Sequence, residues 1–187
     1  MTGAPAFKEW QAIVGVLTAG EQLLILRKGG IAEGRGGFAM RAQRFWLFPT
    51  AFHAQREKLK PAAHRFFAEG SPDTAPATVR LTAYAEVTDA MFVADWDTVQ
   101  RLDPFHWWTE DTVRERFTWS RPPGLHVIVA RVYRLAKPVD LKLTPGMAGC
   151  KSWIEVPVPI DRAGGQPVLD EATFAPRRAA ILAAVAG

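Results

Sequence analysis

Apolar positions in this chain fall into three patterns. Phe7, Trp10, Ile13, Val14 and Leu17 recur at helical spacing, which predicts an amphipathic helix over residues 6–18 with Gly20 as its stop. Short unbroken runs, QLLILRK (22–28) and RFWLFPT (44–50), read as buried strands, the second ended by Pro49 because proline removes a ladder donor. VRLTAYAEVTDAMFV (79–93) alternates and carries β-branched residues, as expected of one long strand or a bent pair. LHVIVARVYRL (125–135) is the clearest strand, with KPVDLKL (137–143) continuing it.

Polar punctuation places the remaining elements. GGIAEGRGG (29–37) is a glycine-rich turn or loop, and SPDTAPA (71–77) a short connection. Thr50 is positioned to cap a short helix containing His53 and Arg56, which Pro61 should interrupt before AAHRFFAEG restarts it. DWDTVQRL (95–102) and TEDTVRERF (109–117) each begin with a capping residue and read as short helices. SWIEVPVPI (152–160) suits an edge strand, where prolines are tolerated. DEATFAPRRAAILAAVA (170–186) reads as a final helix, broken near Pro176.

Strands interspersed with short irregular helices, without regular βαβ crossovers or internal repeats, indicate α+β. The expected architecture is a strongly bent mixed or antiparallel sheet of five or six strands with peripheral short helices. Such a sheet can close into a small barrel. At 187 residues the chain is expected to form a single domain, residues 1–187.

Composition excludes some classes. With 48% hydrophobic and 22% charged residues, the chain is not expected to be disordered. One cysteine, Cys150, rules out an intramolecular disulfide. The longest apolar run, AAILAAVA, is far short of the roughly 20 residues of a membrane span, and MTGAPAFKEW lacks a signal-type apolar core. A cytoplasmic protein without a membrane role is expected.

Charge is distributed unevenly. Residues 21–66 hold nine Lys and Arg against three acids, and residues 69–120 hold four against ten. Either an anionic partner meets the basic side, or the two segments face each other within the fold.

Candidate chemistry concentrates at the ends of the first two predicted strands. After QLLIL, Arg27 and Lys28 precede Gly29 and Gly30, and paired glycines can turn backbone N–H groups toward an anion. His53, Arg56, Lys58 and Lys60 follow FPT, and Arg44 opens the same strand. Such cations beside aromatic residues suit phosphate contacts. Among the aromatics, Trp46, His106, Trp108 and Trp153 are pocket candidates, with DPFHWW (103–108) the best segment. No nucleotide-loop, hydrolase-elbow or metal-ligand spacing occurs, so neither a metal nor a cofactor is expected. Asp140-Leu141-Lys142 matches part of the acid-X-lysine signature of metal-dependent nucleases, a triplet expected about once by chance here.

Taken together and in order, RKGGI, FWLFPTAFHAQREKLKP, GLHVIVARVYRL and GCKSWIEV resemble the bacterial domain of unknown function 1802 family, from about Phe7 to Ile160. Arg27, Lys28, Gly29 and Gly30 match its first element; Phe48, Pro49, Thr50 and His53 its second; Gly149, Cys150, Lys151 and Trp153 its third. Relatives carry an acid and a histidine before the second strand, where this chain has Ala42 and Gln43. The resemblance transfers no activity. Fusion of some members to an Mrr-type restriction endonuclease domain implies an accessory or recognition role near restriction or defence.

The leading expectation is therefore a nucleic-acid-associated accessory domain. Its expected partners are DNA or RNA, and a nuclease or other defence protein. The alternatives are a small metal-dependent nuclease using Asp140 and Lys142, or a protein-interaction domain whose acidic segment docks a basic partner.

Overall fold

A computed structural model describes residues 3–28, 40–50, 56–67, 78–119, 121–149, 151–160 and 164–187. Its strands are β1 (Ala4–Trp10), β2 (Leu24–Arg27), β3 (Arg44–Thr50), β4 (Thr78–Val93), β5 (Leu125–Lys142), β6 (Trp153–Val156) and β7 (Gly165–Pro167). Its helices are α1 (Gln11–Thr18), α2 (Trp96–Arg101), α3 (Glu110–Thr118) and α4 (Glu171–Ala186). The strands form one mixed sheet in the order β2-β5-β4-β3-β1-β6, with β7 also pairing β5. The sheet stays open, so the fold is α+β without barrel closure.

Long strands set its curvature. β4 and β5 pair antiparallel from Thr78↔Lys142 to Val93↔Leu125, with register shifts between Leu81 and Ala83 and between Val87 and Asp89. Each irregularity bends the ladder and increases its twist. Alternation along β3 then feeds two cores: Phe45 and Leu47 join the larger one with α1, while Trp46 and Phe48 join Leu81, Tyr84 and Leu141. Tyr84 stacks on Tyr133 at 4.9 Å, closing the second core.

The helix predicted from residue 6 begins later. Phe7 to Trp10 belong to β1, which pairs β3 on one side and β6 on the other. Two ladders outweigh an accidental helical spacing, and α1 starts only at Gln11. Nor does Pro49 end β3, which continues to Thr50. Pairing with β4 already stops at Trp46, so the ladder at Pro49 is one-sided. Residues 51–55 of the short helix expected after Thr50 lie outside the described residues; Pro61 itself opens a 3₁₀ helix (Pro61–Phe66), since a first-turn position needs no N–H. α4 runs through Pro176. Phe174 and Ile181 are buried on either side of it, and Arg177 donates to Gly20 O and Glu21 O, so packing holds the helix across the missing donor.

Asp95 and Thr109, read as caps from the sequence, accept from the backbone N–H of Thr98 and Thr112, as Asp170 does from Thr173; Thr50 instead ends β3, its hydroxyl donating to Glu9 O. β6 is an edge strand, as its prolines suggest. No helix among the described residues is long and apolar enough to cross a membrane.

Candidate functional site

Parallel pairing of β1 and β3 puts Trp10 opposite Thr50, so both strands end together. The Thr50 hydroxyl donates to Glu9 O at 3.0 Å, and the Arg27 Nη2 at the end of β2 donates to Lys8 O at 2.6 Å. Three strand ends are thereby tied into one locus. Gly29, Gly30, His53 and Cys150 lie outside the described residues.

Beneath this locus sits a buried charge that the sequence reading did not single out. Arg116 of α3 packs its guanidinium 4.7 Å from the Trp10 ring centroid and 4.8 Å from that of Trp108, and donates to Leu26 O. Burial lowers its pKa to about 10; Glu9 opposes that shift and Arg27 adds to it. Glu9 is only 1% exposed. Glu9 Oε2, Arg27 Nε and Trp108 Nε1 are buried without a hydrogen-bond partner. Buried polar groups are normally paired, so a gathering of orphans marks a place where fold stability is not the only requirement. A signal existed in the sequence: Val113, Arg116 and Phe117 share the inward stripe of α3, which puts an arginine where an apolar residue is expected.

Above it the cations reach solvent. The Lys28 ammonium lies 3.4 Å from the ring centroid of Trp119, which is 50% exposed. Burial holds the Lys28 pKa below the ordinary lysine value; Glu115 opposes this, whereas Arg116, Lys58 and Arg27 add to it. Arg27, Lys28, Lys58 and Arg116 are therefore electrostatic neighbours although up to 89 residues separate them.

The other predicted site residues divide. Lys58 and Lys60 flank Leu59, which bridges Trp108; Lys60 N–H donates to Trp107 O, and Thr109 N–H to Lys58 O. The Lys58 ammonium meets Glu115 at 2.7 Å, and that of Lys60 meets Asp103 at 2.9 Å. Arg56 is exposed and packs 5.3 Å from the Phe67 ring centroid. Arg44 is not part of the cationic locus. It opens β3 and pairs with Glu86 at 3.1 Å, about 20 Å of strand away from Thr50. The pairs Arg44–Glu86, Lys58–Glu115 and Lys60–Asp103 join the basic segment to the acidic one. Much of the charge asymmetry is thus satisfied inside the fold.

The four pocket candidates are not brought together. Trp46 is 1% exposed in the smaller core, with its indole N–H donating to Val158 O at 3.0 Å. Trp153 packs edge-on against Phe7 and Phe45 in the larger core. Both are core residues because β3 and β6 have two covered faces here. Only His106 and Trp108 meet, their ring centroids 5.7 Å apart; Trp108 is buried against Arg116, and His106 lines a cavity of about 220 Å³ together with residues of α2 and α3. Gln22 holds the His106–Trp108 segment against β2, its Oε1 accepting from Trp107 N–H and its Nε2 donating to Leu24 O. Burial lowers the His106 pKa to about 4, with Lys60 and Arg116 adding to the shift and Asp103 opposing it.

Asp140 does not sit in a metal-type cluster. Arg80 holds it through two hydrogen bonds of 2.8 and 3.0 Å, and this contact depresses its pKa. Among the described residues no group of three or more His, Cys, Asp or Glu gathers.

Among curated proteins, none matches the chain. Of solved structures, a crystal structure of a mutant of the ZmASCH protein from Zymomonas mobilis is similar, with 11% identity and a TM-score of 0.47 over 83% of this chain and 91% of that one. The model of the family described as Domain of unknown function (DUF1802) matches residues 6–180, nearly the full described fold, and the chain belongs to that family.

Proposed function

We propose that the domain binds single-stranded nucleic acid as an accessory or recognition module, with the strand crossing Lys28, Lys58 and Trp119. The observation that carries this reading is the Lys28–Trp119 pair. A half-exposed indole beside an ammonium crowded by three further cations is a base-stacking platform next to a phosphate site. The Lys28 pKa is lowered first by burial and then by Arg116, Lys58 and Arg27, and an arriving phosphate would offset both causes. The intramolecular pair Lys58–Glu115 is solvent-accessible and worth about 1 kcal/mol or less, so a phosphate can displace it. Nothing comparable favours a nuclease centred on Asp140, whose carboxylate is occupied by Arg80. A link to restriction or defence belongs to this reading through the fusions seen in relatives.

Salt-titrated binding to single-stranded and duplex oligonucleotides tests the proposal. Two phosphate contacts, at Lys28 and Lys58, give a log–log slope of about −1.4 on single strands. Trp119→Ala should weaken binding by roughly 1–3 kcal/mol without changing that slope, and Lys28→Ala should reduce the slope. A salt-independent affinity, or one indifferent to Trp119, refutes it.

A further inference from the structure

The cavity beside His106 has a chemistry distinct from the cationic locus. Trp96, Val99 and Val113 supply apolar wall, while Gln100, Asp103 and Glu110 supply a polar rim. Its volume of about 220 Å³ lies below the roughly 300–1,000 Å³ of sites that enclose whole cofactors, so it admits a one- or two-ring heterocycle and little more. Two carboxylates make the rim rich in acceptors, Asp103 paired with Lys60 and Glu110 with Arg114. Glu110 is already held in place, its Oε1 accepting from Arg114 Nη2 at 3.0 Å and from Gln100 Nε2 at 3.4 Å. Arg114 in turn stacks 4.3 Å from the Trp96 ring centroid, which braces the aromatic wall. His106 lines the cavity while only 4% exposed, and its Nδ1 is buried without a hydrogen-bond partner.

We propose that this cavity binds a nucleobase bearing an exocyclic amino group. The amino hydrogens are the donors that an acceptor-rich rim lacks, and a carboxylate pairs with the amino edge of cytosine, adenine or guanine. Uracil offers a single N3–H donor between two carbonyl oxygens, so it satisfies fewer of the Asp103 and Glu110 acceptors than an amino-bearing base does. The Lys60 ammonium pairs with Asp103, which lines the cavity, and donates to His106 O at 3.1 Å, so a cation adjoins the site. This deepens the nucleic-acid reading by naming what the domain reads: a single amino-bearing base taken from an unpaired strand.

Calorimetric titration of the full chain with adenosine, cytidine, guanosine and uridine tests it. At least one amino-bearing nucleoside should bind tenfold or more better than uridine, on the order expected for one good base contact. Exposed Glu110 and Gln100 can be changed without disturbing the core, so Glu110→Gln and Gln100→Ala should each weaken that nucleoside about tenfold. Equal binding of uridine, no binding of any nucleoside, or indifference to Glu110→Gln would overturn the proposal. Failure of nucleoside binding with salt-dependent strand binding intact removes the cavity site alone. Loss of strand affinity with nucleoside selectivity intact removes the cationic platform alone.

Discussion

Lowering the pH toward 4.5 should destabilise this protein through His106 before its carboxylates contribute. The ring is buried, Lys60 and Arg116 add positive charge nearby, and Asp103 compensates only in part, so its pKa falls from 6.5 to about 4. The unfolded chain therefore binds a proton between these two values that the folded chain refuses. Stability is fully present above about pH 6.5, is lost as pH falls toward 4, and loses no more from this group below that. The whole shift corresponds to about 3 kcal/mol, of which about 2.5 kcal/mol is gone by pH 4.5. Asp89, Asp95, Asp140, Asp170 and Glu115 are held below the ordinary carboxylate range by their hydrogen bonds. Their stabilisation is present above their unfolded values near 4 and fades below them, outside most of the His106 window. Urea unfolding of wild type and His106→Asn between pH 4.5 and 7.5 isolates the effect, because the other histidines are common to both chains. The wild type should lose about 2.5 kcal/mol more than the variant over that range. Parallel pH profiles would refute the assignment of a neutral, desolvated ring.

Other expectations follow from the same physical picture. Arg116→Met should cost roughly 1–3 kcal/mol in chemical unfolding, since it leaves Leu26 O without its hydrogen bond and removes the charge near buried Glu9, and adding Glu9→Gln should recover part of the loss. Gly15→Ala should destabilise despite the better helix propensity of alanine. The added Cβ would meet Phe66 Cβ and Cδ1 at 2.8 Å, and overpacking of about 1–3 kcal/mol exceeds a propensity gain of about 1 kcal/mol; a raised thermal midpoint would show that Phe66 yields freely. Asp140→Ala should leave the thermal midpoint and nucleic-acid affinity almost unchanged, because Asp140 and Arg80 are both solvent-exposed. Metal-dependent cutting of oligonucleotides that vanishes in that variant would contradict the accessory role.

Within the chain, local signals determined the local events. Capping residues at Asp95, Thr109 and Asp170 start the three later helices, and the β-branched run from Leu125 forms a strand, because both effects act over a few residues. The sequence groups Arg27, Lys28, Arg44, His53, Arg56, Lys58 and Lys60 as one cationic set, of which Arg27, Lys28 and Lys58 are electrostatic neighbours while Arg44 pairs with Glu86 elsewhere. Local pattern failed where partners decide. The helical spacing of Phe7 and Trp10 lost to two flanking strands, and Pro176 was carried by the packing around it. Trp46 and Trp153 resemble pocket aromatics in sequence, yet the two-faced sheet buries them in different cores. The convergence of Glu9, Arg27, Arg116 and Trp108, and the separation of Arg44 from Lys58, depend on which strands pair and in which direction. Pairing direction is a long-range choice made by the burial of whole faces, so only the tertiary structure decided it.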